Sequence, residues 1–220
     1  MAWQKLADLP FASALAPQPG ALAAGEAYDG AHFDGAQYEG ATLEDADGSG
    51  SHFLECAFTG VSFQGGRLRQ AQFADVWLHE CRLLSTGLAR TSWRDVTFTG
   101  VVMAGVEIFG SQLRRVRFER CKMDSVNFRD ADLADVTFDG CVLRNVDFGE
   151  ARLTRTAFPQ SRLADTTLVK VTLDRVDLRG AELGLTVDPT ALRGAIVTTA
   201  QLLQLAPILA EGIGIVVSDD

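Results

Sequence analysis

The sequence predicts a solenoid, a coil built from one short unit repeated along the chain, and three observations carry that prediction. Large apolar side chains recur at every fifth position from Tyr28 to Leu183, with Gly48 the single exception among thirty-two positions. Two residues before these centres the side chain is almost always small, as at Ala31, Ala36, Ser51, Val61, Ala71, Val116, Val136 and Ser161. A period of five matches neither the 3.6 of an amphipathic helix nor the 2 of a half-buried strand. Sustained over roughly 160 residues, it marks internal repetition as the architecture.

The units AHFDG, AQYEG, VNFRD, ADLAD, VTFDG, VDFGE and VDLRG resemble the pentapeptide-repeat family, whose unit is written A(D/N)LxX. The resemblance implies an all-β fold, a right-handed quadrilateral β-helix with one pentapeptide per side and four per coil. Residues 26–185 then form about eight coils, and at the ~4.8 Å spacing of paired strands the rod is ~38 Å long. Residues twenty apart stack in such a coil. Phe33, Phe53, Phe73 and Trp93 fall in one interior column, and Phe98, Phe118, Phe138 and Phe158 in another.

Residues 1–25 read as an N-terminal arm and linker. Trp3, Leu6, Leu9 and Phe11 suit a strap across the first coil or a tail, and Pro10, Pro17 and Pro19 interrupt any signal-peptide core, so the segment reads as mature chain. Residues 26–66 carry eight acids and no Lys or Arg, whereas residues 67–185 carry 16 acids and 18 bases. Asp29, Asp34, Glu39, Glu44, Asp45 and Asp47 fall at outward positions and form an acidic collar at one end. The collar either steers a basic partner or solvates and protects that end. Gly48, in ADGSG, marks a bulge or small loop. Further along, charges mix, and neighbours one coil apart such as Arg115 and Asp135 are placed to form rungs of modest worth. Trp77 and Phe109, with Leu54 and Leu84, stand at outward positions, where they either offer a contact surface or lie under the arm.

The period stops after Leu183, and residues 186–220 read as a cap. Thr198 or Thr199 starts a helix, with Gln201 completing a capping box after Thr198. Pro207 should kink the helix, Gly212 and Gly214 should end it, and Ile215, Val216 and Val217 should form a short strand. The helix is too apolar for one solvated face. It covers the open last coil, and Leu202, Leu205 and Leu209 supply a second face for a homodimer of roughly 75 Å.

The functional reading is of a binding protein. The formal charge of −9 and a pI near 4.8 leave no dominant basic stripe for nucleic acid. Cys56, Cys81, Cys121 and Cys141 all occupy small inward positions and read as packed free thiols suited to a reducing cytoplasm. A Cys121–Cys141 bridge is sterically imaginable. His32 and His52 stack without a third ligand, and no catalytic triad, paired-carboxylate pocket, phosphate loop or cofactor motif stands out. The chain is therefore read as no enzyme and without cofactor or metal. The segment RGAIVTTAQLLQLAPILAEGIGI is similar to the C-terminal end of quinolone-resistance members of the family. That resemblance implies a DNA-mimic modulator of DNA gyrase or another type II topoisomerase. The alternative is a protein-interaction scaffold working through the acidic collar or the outward aromatics.

Overall fold

Every fifth residue turns a corner. In a computed structural model of the chain, which describes residues 5–17 and 29–216, twenty non-glycine residues have positive φ, and all twenty sit at positions divisible by five. A left-handed residue costs an L side chain about 1 kcal/mol, and hydrogen bonding and burial offset that cost at each corner.

Four corners close a coil, and residues twenty apart meet in parallel register. His32–Asp34 lies on His52–Leu54, Ala57–Thr59 on Trp77–His79, and Arg82–Leu84 on Val102–Ala104. Three sides are parallel sheets of eight, seven and eight strands, the seven-stranded one continuing beyond Thr137–Asp139 by single bridges through Ala157 to Asp177. Side one is centred on Phe33 to Leu173, side two on Tyr38 to Leu178 and side three on Leu43 to Leu183. Side four, centred on Gly48 to Leu168, is held by single bridges such as Arg67 to Gly87 and Glu107 to Asn127. Side four turns tightly because a short polar side chain folds back on its own backbone: Asn127 accepts from the Arg129 amide at 3.0 Å, and Asp147 from the Gly149 amide at 2.7 Å.

The interior is a set of stacked columns. Phe33, Phe53, Phe73 and Trp93 stack with ring centroids 4.7, 4.9 and 3.8 Å apart. Phe98, Phe118, Phe138 and Phe158 stack at 4.6, 4.8 and 4.9 Å. These distances follow the strand spacing, so ring contact and ladder hydrogen bonding are satisfied by one geometry. Polar residues at the small inward positions are mostly paired, the buried Thr166 hydroxyl being an exception. Thr91 Oγ1 donates to the Leu88 carbonyl at 2.8 Å, lies 2.9 Å from Ser111 Oγ, and accepts from Trp93 Nε1 at 2.7 Å.

All four cysteines are buried free thiols. Each donates to a carbonyl of the coil before it, as Cys141 does to Phe118 at 3.3 Å. Burial pushes Cys56 and Cys81 up to about 11 and raises Cys121 as well. A thiol held neutral is a poor nucleophile, so these residues act as core.

Three local expectations are corrected. Gly48 makes no bulge: Asp47 bridges Arg67 in the regular register, and the Gly48 amide donates to the Arg67 carbonyl at 2.7 Å. Leu68 fills the space of the missing side chain, for a Cβ on Gly48 would stand 2.7 Å from Leu68 Cδ2. Residues 215 and 216 form no strand, and Val217 lies outside the described residues. Arg115 pairs downward with Asp95 at 2.6 Å, leaving Asp135 to bond Arg155 at 2.5 Å.

The arm adds to one side of the first coil, and a helix covers the last. The arm makes two 3-10 turns, Leu6–Asp8 and Ala12–Ala14, and then strand β1 (Ala16–Pro17), which pairs with Ala36 and Gln37 to extend side two. Trp3 lies outside the described residues. At the other end a register shift opposite Leu163 and Thr166 breaks the period after Leu183. Helix α1 (Thr199–Gly212) follows, with Thr198 as its cap and Gln201 completing the box. It runs on through Pro207. Gln201 is buried, and its Nε2 donates to the Leu178 and Ala181 carbonyls at 2.7 and 2.9 Å. The side chain thus takes up carbonyls that a further coil would have bonded.

Candidate interaction surface

Because each side chain of the rod points either into the column or outward, the surface is a grid that can be read side by side. The carboxylates of the collar do not share one side. Asp34 projects from side one, Glu39 from side two, Glu44 and Asp45 from side three and its corner, and Asp29 and Asp47 from side four, so they ring the first coil. Asp29, Asp34, Glu39, Glu44 and Asp45 are exposed. None of these five has an ion-pair partner among the described residues. Asp47 differs: it is half-buried, accepts from Ser49 Oγ at 2.7 Å and meets Arg67 at 3.0 Å. The Ser49 hydroxyl, and after it the Ser49 amide and Arg67, hold its carboxyl below the usual carboxylate range.

Further along the rod the acids are neutralised by position. An Asp on one coil meets an Arg twenty residues later at Asp95–Arg115, Asp124–Arg144 and Asp135–Arg155. Arg129 bridges Asp147 at 3.3 Å and Glu150 at 2.6 Å, and Arg114 holds Asp132 at 2.5 Å. The Arg115 and Arg155 guanidinium groups hold Asp95 and Asp135 below their ordinary range. A lowered folded-state value means that the rungs contribute at neutral pH and lose their contribution as pH falls below about 4. Among the described residues no side carries a continuous acidic strip.

The outward aromatics divide. Trp77 is buried, the second of its two alternatives and not a free contact surface, because Leu9 and Phe11 of the arm pack on it and on Ala57. The small Ala57 makes the room in which the arm lies. Phe109 is half-buried beside Ala89, Arg69 and Arg90. Sequence periodicity gave no signal for the arm's path, since Leu9 and Phe11 lie outside the repeat.

The C-terminal helix presents two faces. Leu205 is buried on the rod and Leu209 is half-buried, while Leu202 is 48% exposed and Leu203 71%. Ile213, Ile215 and Val216 are also exposed, at 76%, 54% and 89%. Leu205 therefore belongs to the cap itself, and the free apolar surface runs through Leu202 and Leu203 to the residues beyond the helix.

Among the described residues no cluster of three or more His, Cys, Asp or Glu is placed to hold a metal ion. The His32 and His52 rings lie face to face at 4.5 Å, a stacking geometry rather than a chelating one. Among the described residues no helix is long and apolar enough to cross a membrane.

The model of the pentapeptide repeat region matches residues 111–186, and that of pentapeptide repeats in eight copies matches residues 29–65. Together they span more than half of the 220 residues. No curated protein sequence matches the chain. Among solved structures, a trypsin-treated variant of QnrB1, a plasmid-mediated fluoroquinolone resistance protein, is 19% identical, with a TM-score of 0.42 over 90% of this chain and 98% of that one. HetL, a pentapeptide repeat protein involved in heterocyst differentiation regulation from the cyanobacterium Nostoc, is 15% identical, with a TM-score of 0.29 over 78% of this chain and 90% of that one. Repeat, corner geometry and four-sided coil agree with the family matches: the chain belongs to the pentapeptide-repeat family.

Proposed function

We propose that the protein is a non-enzymatic, cytoplasmic binding rod whose acidic N-terminal end engages a protein with a basic surface, and that this surface is the DNA-binding region of DNA gyrase or another type II topoisomerase. One observation carries the reading: five exposed carboxylates of the first coil lack ion-pair partners among the described residues, whereas acids along the rest of the rod are largely matched to arginines. An unneutralised ring of charge steers a cationic partner and is sensitive to salt. The choice of gyrase follows the resemblance of the C-terminal segment to quinolone-resistance members of the family. Purified protein is expected to inhibit gyrase supercoiling at a concentration on the order of 1 μM while leaving topoisomerase I unaffected. Neutralising Asp29, Asp34, Glu39 and Glu44 together should raise that concentration at least about tenfold, the effect of losing ~1.4 kcal/mol of charge complementarity.

A second reading, a scaffold for another basic protein, is favoured by the clustering of unpaired carboxylates at one end. Absence of inhibition at tens of micromolar, with the rod intact, would decide for it.

In either reading the protein acts as a homodimer joined through α1, which places one acidic end at each extremity. The exposed Leu202 and Leu203 support this, since a helix that covers the last coil has no internal use for them. Leu202→Arg is expected to give a monomer by light scattering with an unchanged melting temperature. A variant that remains dimeric would refute the interface.

A further inference from the structure

Side four carries a break in its surface grid at the third coil. The two outward positions flanking Leu88 are Gly87 and Ala89, where the coil before holds Arg67 and Arg69 and the coil after holds Glu107 and Phe109. The missing side chains leave a saddle of ≈ 270 Å³ lined by Arg69, Gln70, Ala89, Arg90 and Phe109. Its walls stand two coil steps apart, ~9.6 Å. That gap admits one flat ring in van der Waals contact, ~3.5–4 Å, with a side chain on either side.

The electrostatics of the saddle differ from those of the surrounding rod. Arg67 is bound to Asp47 at 3.0 Å, and Glu107 accepts from Asn127 at 2.8 Å. Neither Arg69 nor Arg90 has an ion-pair partner among the described residues, although both are exposed on an acidic protein whose other arginines are mostly paired. Arg90 is held at the corner by its amide, which donates to the Phe109 carbonyl at 2.9 Å. Its stem lies toward the fourth coil, with Cγ 3.5 Å from where a Cβ of Gly110 would be, so no side chain at that corner stands in its way.

We propose that this saddle binds a small planar aromatic anion. The ring lies between Phe109 and the guanidinium of Arg69, and the anionic group pairs with Arg90. Stacking on an aromatic face and on a guanidinium plane recognises a flat π-system, and a charge-assisted hydrogen bond fixes the anion. An aromatic carboxylate and a nucleoside monophosphate both present this chemistry. The inference is independent of the acidic end, which lies on the first coil.

Ligand-observed NMR titration of the full chain tests it with 2-naphthoate, AMP and the uncharged 2-naphthylmethanol. At least one of the two anions is expected to bind with a Kd on the order of 1 mM or tighter. The tighter of them identifies the source, and 2-naphthylmethanol should bind at least about tenfold more weakly than 2-naphthoate if the carboxylate is the preferred anion. Arg90→Gln and Phe109→Ala, each checked for an unchanged circular dichroism spectrum, should weaken the anion about tenfold. Arg152→Gln, at an exposed arginine on side one, should leave binding unaltered. Absence of binding by both anions up to about 10 mM, or an equal loss in Arg152→Gln, would overturn the proposal.

Discussion

Phe138→Ala is expected to destabilise the rod by about 3–5 kcal/mol, the range for removing a fully buried aromatic side chain. Phe138 has no exposed surface, stacks on Phe118 at 4.8 Å and Phe158 at 4.9 Å, and meets Phe128 and Phe148 edge-on at 6.3 and 6.1 Å. Alanine at this point interrupts one column and removes its edge contacts to the neighbouring Phe128–Phe148 stack. Each coil of a solenoid touches only its neighbours, so the loss falls on the coupling between the halves of the rod rather than on one site. Urea unfolding followed by circular dichroism should show a lower midpoint and a broader or two-step transition. A loss under about 1 kcal/mol would mean that the coils repack around the gap, contrary to a close-packed interior.

Gln201→Leu should release the C-terminal cap. The substitution keeps the volume but removes the donor that satisfies the Leu178 and Ala181 carbonyls and the acceptor, Gln201 Oε1, that takes the Thr198 amide at 2.9 Å. The Leu178 carbonyl keeps the Ala181 amide at 3.1 Å, whereas the Ala181 carbonyl is left unpaired at a cost of about 1–3 kcal/mol, and loss of the capping box costs a further ~0.5–2 kcal/mol. The effect should be local. Hydrogen exchange is expected to quicken at Leu178, whose amide donates to the Ile196 carbonyl at 2.9 Å, while amides near Phe98 and Phe118 keep their protection. Unchanged exchange at Leu178 would show that the helix is held by Leu205 and apolar contact alone.

Much of the fold was legible in the residues because one position in five has a single physical job. A large apolar centre, a small residue two before it and a corner two after it specify a turn of coil without reference to distant sequence. The interior columns then follow from counting by twenties. The start of α1 was also legible, because Thr198 and Gln201 are three residues apart and a capping box is local chemistry.

What escaped the sequence involves contact between parts that share no period. Whether the arm covers Trp77 or Phe109 stayed open, because contact across more than sixty residues of chain leaves no periodic trace; it covers Trp77. Gly48 looked like a defect of the backbone, yet the hydrogen-bond register carries through it, and Leu68 takes the space that its own side chain leaves. The pairing of charges was only half visible. An Asp and an Arg twenty apart can be recognised, but whether Arg115 turns to Asp95 or Asp135 depends on rotamers. The saddle on side four was missed for a similar reason, since Gly87 and Ala89 are small at outward positions where size has no bearing on the repeat.

A rod whose ladders repeat every twenty residues is nearly indifferent to sliding by one coil. A misthreaded chain would keep most of its backbone hydrogen bonds and bury similar rings, so the even columns that stabilise the native state also make a kinetic trap. The Trp93–Thr91–Ser111 hydrogen-bond network acts as an index mark against this error. Slipped by twenty, Trp93 keeps Thr91 beside it, but Thr91 faces Ala71 or Ala131 in place of Ser111 and leaves a buried hydroxyl without that partner. The irregular residues of an otherwise uniform interior thereby encode which coil follows which, and the order of the rod is kept by its exceptions.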